Sequence, residues 1–173
     1  MNNKNIVLIG MPGAGKSTIG IILAKVLSFN FIDSDVYIQA QKGRSLQEII
    51  NTKGMDYFCS LEERCVLSLS CESSVIATGG SVIYSDKAMR HLKASGVAVY
   101  LYVPLYMIKK RLSNFCSRGV VIKPGQSLTD LYYEREPFYK AYADITIDCT
   151  HRSHEDVIEA IASNTLAIKS LQQ

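Results

Sequence analysis

Eight residues near the amino terminus, Gly10-Met11-Pro12-Gly13-Ala14-Gly15-Lys16-Ser17, have the types and the spacing needed to hold a chain of phosphates. The pattern is Gly-x-x-x-x-Gly-Lys-Ser, followed by Thr18; it comes after an apolar run over 6–9 and opens a helical pattern over 17–27. This strand, loop and helix context separates a phosphate loop from a chance match. Glycines let backbone N–H groups close round phosphate oxygens, and the helix N-terminus adds positive potential. Lys16 can then reach the outer phosphates and the Ser17 hydroxyl can ligate Mg²⁺. Reading Gly10-x-x-Gly13-x-Gly15 as a dinucleotide fingerprint leaves Lys16 and Ser17 unexplained. The loop predicts binding of a nucleoside triphosphate, ATP, and transfer of its terminal phosphoryl group.

Two further sets of residues suit that chemistry. Asp33 and Asp35 follow the apolar residues Phe31-Ile32, and on an extended segment positions i and i+2 face one side. Beside a triphosphate, one carboxylate can serve Mg²⁺ and the other can accept a proton from an attacking hydroxyl. The plainer alternatives are two solvated loop carboxylates or a helix N-cap at Asp35. The segment 109–135 carries six basic residues (Lys109, Lys110, Arg111, Arg118, Lys123, Arg135) against Asp130 and Glu134, an excess that suits a polyanion. Arg118 lies in an aperiodic stretch, where a closing lid would bring it to the transferring group. His91, His151 and His154 carry no carboxylate pattern that would mark catalysis.

The elements needed to hold these residues alternate. Strands are expected over 6–9, 31–33, 74–77, 97–103 and 145–148. Helices are expected over 17–27, from the capping box Ser45-Leu46-Gln47-Glu48, over 55–70, 86–93, 105–112 and 128–141, and from Ser153 onward. Such alternation implies an α/β fold, a parallel sheet covered on both faces with ligands at the carboxyl ends of its strands. Lys16, Asp33, Asp35, Gly79, Gly80 and the aperiodic stretch would share that rim.

At 173 residues, 47% of them apolar and 20% charged, the chain is expected to be one globular domain with its own core. A net charge of +3 gives no reason to expect nucleic acid or an anionic membrane as partner. The five cysteines are odd in number and form no C-x-x-C, which suits thiols in a reducing compartment. The apolar stretch 97–107 is well short of the roughly 20 residues that span a bilayer. A cytoplasmic monomer acting on a small-molecule acceptor is the resulting expectation.

Taken together these residues resemble the shikimate kinase family over nearly the whole chain. The resemblance implies a three-layer phosphate-loop kinase fold, a five-stranded parallel sheet with helices on both faces, substrate-binding helices over about 34–64 and a lid over about 113–126. It implies that Gly10 to Thr18, including Gly13, Ala14, Gly15, Lys16 and Ser17, bind ATP. Asp33 would join Ser17 at Mg²⁺, Asp35 would face the accepting hydroxyl, and Arg118 would be the lid arginine. Arg111 would pack on adenine, Gly79-Gly80 would form the family's glycine turn, and Arg135 would grip the substrate carboxylate.

Three departures fall on the acceptor side. The family usually has an arginine at the place of Cys59, paired with the substrate's carboxylate; here that cation is missing. Arg64 is about 140° round the helix, whereas Glu62, at i+3, shares the face of Cys59. One lost charge-assisted hydrogen bond of about 1.5–3 kcal/mol weakens carboxylate binding roughly tenfold to a hundredfold. Ser81 stands where a third glycine is common, and Arg118-Gly119-Val120-Val121 replaces the usual Arg-Pro-Leu-Leu. Shikimate is thus the first acceptor by resemblance. A hydroxy amino acid, an amino alcohol, a sugar acid or a nucleoside monophosphate is an alternative, and so is a nucleotide-dependent switch without a productive acceptor. A GTPase switch would also carry Asn-Lys-x-Asp, which is absent.

Overall fold

The computed structural model describes residues 4–113 and 125–171. Arg118 and most of the expected lid lie outside the described residues. The chain runs β1 (Asn5–Ile9), α1 (Lys16–Leu27), β2 (Asn30–Asp33), α2 (Ser34–Lys42), α3 (Leu46–Lys53), α4 (Met55–Leu67) and β3 (Ser74–Ala77). It continues with a 3-10 turn (Val82–Tyr84), α5 (Asp86–Ser95), β4 (Gly96–Tyr102), α6 (Leu105–Ser113), α7 (Leu128–Tyr142), β5 (Ile145–Asp148) and α8 (His154–Leu171).

All strand pairs are parallel, in the order β2-β3-β1-β4-β5, with Val7 of β1 opposite Ile76 and Ala98. Every residue of β1 and β3 is buried, because helices cover both faces of the central strands. The edge strand β5 alternates buried and exposed instead. From β1 the chain crosses over β3 to reach β2, while β4 lies on the other flank of β1. The carboxyl ends of β1 and β3 therefore border the crevice where connections leave in opposite directions, the usual ligand site of such a sheet.

Short polar signals set the helix starts. Ser45 and Glu48 form the expected capping box of α3, and Ser127 with Asp130 forms another at α7. One expectation is overturned: Asp33 and Asp35 are not aligned by strand alternation. The Asp33 carboxylate accepts hydrogen bonds from the backbone N–H of Asp35 (3.0 Å) and Val36 (3.2 Å), so the helix α2 begins at once. Asp35 belongs to its first turn, and the cap is Asp33 rather than Asp35. Helices α2 to α4 bury Ile38, Leu46, Ile49, Phe58, Leu61 and Cys65 in an apolar cluster separate from that of the sheet. The helix expected over 55–70 ends at Leu67.

Candidate active site

The loop between β1 and α1 takes backbone shapes that depend on glycine. Gly13 and Gly15 have φ of 80° and 99°. At Gly10 (φ 145°) a Cβ would stand 2.9 Å from the Leu101 carbonyl oxygen, so the loop is pressed against β4. Lys16 is buried, and its Nζ donates to the carbonyls of Gly10 (2.8 Å) and Met11 (3.1 Å). Burial lowers its pKa to about 8, with the negative charge of Asp35 acting in the opposite sense. From α6, Arg111 Nη1 donates to the carbonyls of Gly13 (3.0 Å) and Ala14 (3.4 Å). That grip on the loop was not read from the sequence.

On the opposite wall stand the carboxylates. Ser17 Oγ donates to Asp33 Oδ2 at 2.6 Å. Asp35 Oδ1 is buried without a hydrogen bond among the described residues, and burial raises the pKa of this carboxyl to about 6, against the pull of Lys16. Glu62 of α4, 2% exposed, points from the apolar face of its helix into the same place. Its Oε2 accepts the Ser81 hydroxyl (2.6 Å), and its Oε1 has no hydrogen bond among the described residues. Burial pushes the Glu62 pKa up to about 7, and the negative charge of Asp35 adds to that rise.

The glycine pair after β3 is the floor between these groups. A Cβ on Gly79 would overlap Glu62 Oε1 and stand 2.6 Å from Asp35 Oδ1. The Gly79 N–H donates to Ser34 Oγ (2.9 Å), which fixes the floor to α2. A Cβ on Gly80 would stand 2.8 Å from Arg135 Nη1, and the Gly80 carbonyl accepts from Tyr139 OH (2.8 Å). Arg135, 1% exposed, also donates from Nε to Tyr84 OH (3.2 Å) with its guanidinium 5.3 Å from the centre of that ring. Between α4 and the 3-10 turn lies a cavity of about 150 Å³, lined among others by Cys59, Glu62, Glu63, Ser81, Tyr84 and Ser85.

The fold thus brings Lys16, Ser17, Asp33, Asp35, Gly79, Gly80, Ser81 and Arg135 to one rim, with Cys59 on the cavity beyond Glu62. The shikimate kinase family model matches residues 12–165. The chain belongs to the shikimate kinase family. A shikimate kinase of Caldanaerobacter subterraneus subsp. tengcongensis is 37% identical over 169 residues, 96% of this chain and 98% of that protein. The structure of the shikimate kinase from Acinetobacter baumannii in complex with shikimate is similar with a TM-score of 0.88 and 34% identity, covering 96% of this chain and 95% of that one. The shikimate kinase of Aquifex aeolicus vf5 gives 0.80 and 29%, covering 98% and 99%.

Within this family the departures noted in the sequence are connected. Ser81 supplies the hydroxyl bound to Glu62, and Cys59 lines the same cavity. Arg64 is exposed and is not among the residues that line the cavity. Ser34, Tyr84 and Tyr139 are site residues to which the sequence gave no role, and Glu62 was read there only as sharing the helix face of Cys59. For Glu62 a signal was present: it falls on the helical stripe of Phe58, Leu61, Cys65 and Val66, where a carboxylate is out of place unless it has a task. Among the described residues no group of three or more His, Cys, Asp and Glu side chains could hold a metal by itself, and no helix is long and apolar enough to cross a membrane.

Proposed function

We propose that this chain transfers the γ-phosphoryl group of ATP to a hydroxyl of a small polar metabolite, and that shikimate is the first acceptor to test. The observation that carries the reading is the pairing across one rim of a buried lysine on a phosphate loop with a buried carboxylate oxygen of Asp35 that has no hydrogen bond among the described residues. The shikimate held by the Acinetobacter relative supports the acceptor class.

In this reading the loop from Gly10 to Thr18, with Ala14, surrounds the phosphates, and Lys16 exchanges the carbonyls of Gly10 and Met11 for phosphate oxygens. Arg111 keeps the loop in shape and flanks the adenine. Ser17 Oγ and Asp33 Oδ2, 2.6 Å apart, are hard oxygen donors that suit Mg²⁺, which takes one or two protein ligands together with phosphates and water. Held by these two side chains, Mg²⁺ would supply charge neutralisation at the phosphates. Asp35 takes the proton of the acceptor hydroxyl as its oxygen bonds to the γ-phosphorus; the bond to the β,γ-bridging oxygen breaks and ADP leaves. A carboxyl that titrates near 6 is ionised at neutral pH yet basic enough to share the proton. Arg135 holds an anionic group of the acceptor over Gly80, and Gly79 lets that acceptor lie close to backbone. Arg118, outside the described residues, is assigned to the transition-state charge. Residues 1–173 are taken as a single kinase domain, with substrate-binding helices over 34–64, that works as a monomer.

The test is ADP release with and without shikimate at saturating Mg²⁺ and ATP. Shikimate should stimulate release, and Lys16→Met should abolish the stimulated rate; hydrolysis indifferent to any acceptor would refute the assignment.

A further inference from the structure

Three residues of α7 close on one phenol. Tyr84 ends the 3-10 turn that follows the glycine pair, and its OH donates to Glu134 Oε1 (2.5 Å) while accepting from Arg135 Nε (3.2 Å). Phe138, one helical turn beyond Glu134, meets the same ring edge-on with centroids 5.8 Å apart. Glu134 is itself fastened, since its Oε2 accepts from Gln126 Nε2 (2.5 Å) just before α7 begins. Glu134 and Arg135 leave the helix about 100° apart, so they reach the phenol from different directions. A hydroxyl that gives its proton to a carboxylate turns its lone pairs elsewhere and becomes a better acceptor, here toward the guanidinium. Burial first, and then the bond to Glu134, hold the Tyr84 proton above its ordinary range, so the phenol remains a donor across neutral pH. Arg135 is thus held at Nε on the Tyr84 side, while its Nη1 stands 2.8 Å from where a Cβ on Gly80 would be. A guanidinium fork fixed in this way has less freedom to lose when it meets an anion.

We infer that Tyr84 and Glu134 are positioning residues for acceptor binding: Glu134 orients the Tyr84 hydroxyl, the hydroxyl braces Arg135 at Nε, and the Nη end is thereby presented over Gly80. The inference rests on the kinase reading above, in which Arg135 holds an anionic group of the acceptor. These bonds run to α7 rather than to the phosphate loop, so their loss should weaken the acceptor and spare the nucleotide.

The experiment measures ADP release against shikimate and against ATP in Tyr84→Phe, Glu134→Ala and the double variant, together with proton–nitrogen NMR spectra of the arginine side chains. Tyr84→Phe keeps the ring on which Arg135 and Phe138 pack and removes only the hydroxyl. It should raise the shikimate KM about tenfold, the scale of one hydrogen bond to a charged group, with kcat and the ATP KM within about twofold. Glu134→Ala should raise the shikimate KM as well, and the double variant should be no worse than Tyr84→Phe, because Glu134 acts through the hydroxyl. The Arg135 Nε–H resonance, identified by its loss in Arg135→Lys, should move upfield in both single variants. A shikimate KM unchanged in Tyr84→Phe, additive losses in the double variant, an ATP KM that rises as much, or an unmoved resonance would overturn the inference while leaving the kinase reading intact. If shikimate does not stimulate ADP release, the kinase reading falls and the resonance alone decides the brace: moved in both variants it stands, and unmoved in either it is overturned.

Discussion

Replacing Glu62 by Gln should stabilise this protein, and the gain should depend on pH in a defined way. Glu62 is 2% exposed, and burial lifts its pKa from the usual 4.5 to about 7. The folded chain therefore keeps this proton to higher pH than the unfolded chain does. As pH rises from 4.5 to about 7 the unfolded state ionises first, and native stability drains away by an amount set by the shift. At 1.36 kcal/mol per unit, the full loss above that range is about 3 kcal/mol. Gln has nearly the same shape: its carbonyl can accept the Ser81 hydroxyl, and its amide can turn toward Asp35 Oδ1, where Glu62 Oε1 now stands. Urea unfolding of both proteins, without nucleotide, at intervals from pH 4.5 to 8.5 gives the difference directly. It should be small at pH 4.5, grow through the interval and level off near 3 kcal/mol, roughly 6 to 12 °C in melting temperature for a chain of this size. Contributions common to both proteins cancel. A variant no more stable than the parent at pH 8.5, or a difference that stays flat with pH, would refute the claim that a buried carboxyl is being forced to ionise.

Four other outcomes follow from the same geometry. The profile of kcat/KM against pH should be bell-shaped, rising as Asp35 ionises near 6 and falling as Lys16 discharges near 8, and Asp35→Asn should lower kcat by about a hundredfold or more. Gly79→Ala places a methyl group on Glu62 Oε1 and 2.6 Å from Asp35 Oδ1; unfolding should show a loss of about 1–3 kcal/mol, and acceptor turnover should fall. Arg111→Ala releases the carbonyls of Gly13 and Ala14, and the KM for ATP should rise about tenfold with little change in the acceptor KM.

How much of this was legible in the chain depended on how local each determinant is. The phosphate loop needs left-handed glycines, one lysine and one hydroxyl within eight residues, so its sequence states its structure. Strands β3 and β5 end where the sequence placed them, because apolar runs there are bounded by polar turns, and the Ser45 capping box starts α3 as expected. The Asp-Ser-Asp segment was misread for a physical reason. Alternation and helix capping make different uses of the same residues, and two backbone N–H groups seeking an acceptor decided for the helix at Asp33. The contacts that complete the site join residues far apart in the chain: Glu62 to Ser81, Ser34 to Gly79, Arg111 to Gly13. Only the topology that lays α2, α4 and α6 around the ends of β1 and β3 makes those meetings possible.

The two sides of the acceptor site differ in how much change they can absorb. On the Gly79-Gly80 side even one added carbon meets a buried charged group, so that wall is closed to variation in both the protein and its ligands. On the Cys59 side about 150 Å³ of room lies between α4 and the 3-10 turn. Among the described residues, a ligand built on this site therefore has room to grow toward α4, where a hydrogen-bond donor at its tip would meet carboxylates and hydroxyls. Substitutions that alter acceptor choice during divergence would accumulate on α4 and the 3-10 turn, leaving the phosphate loop untouched.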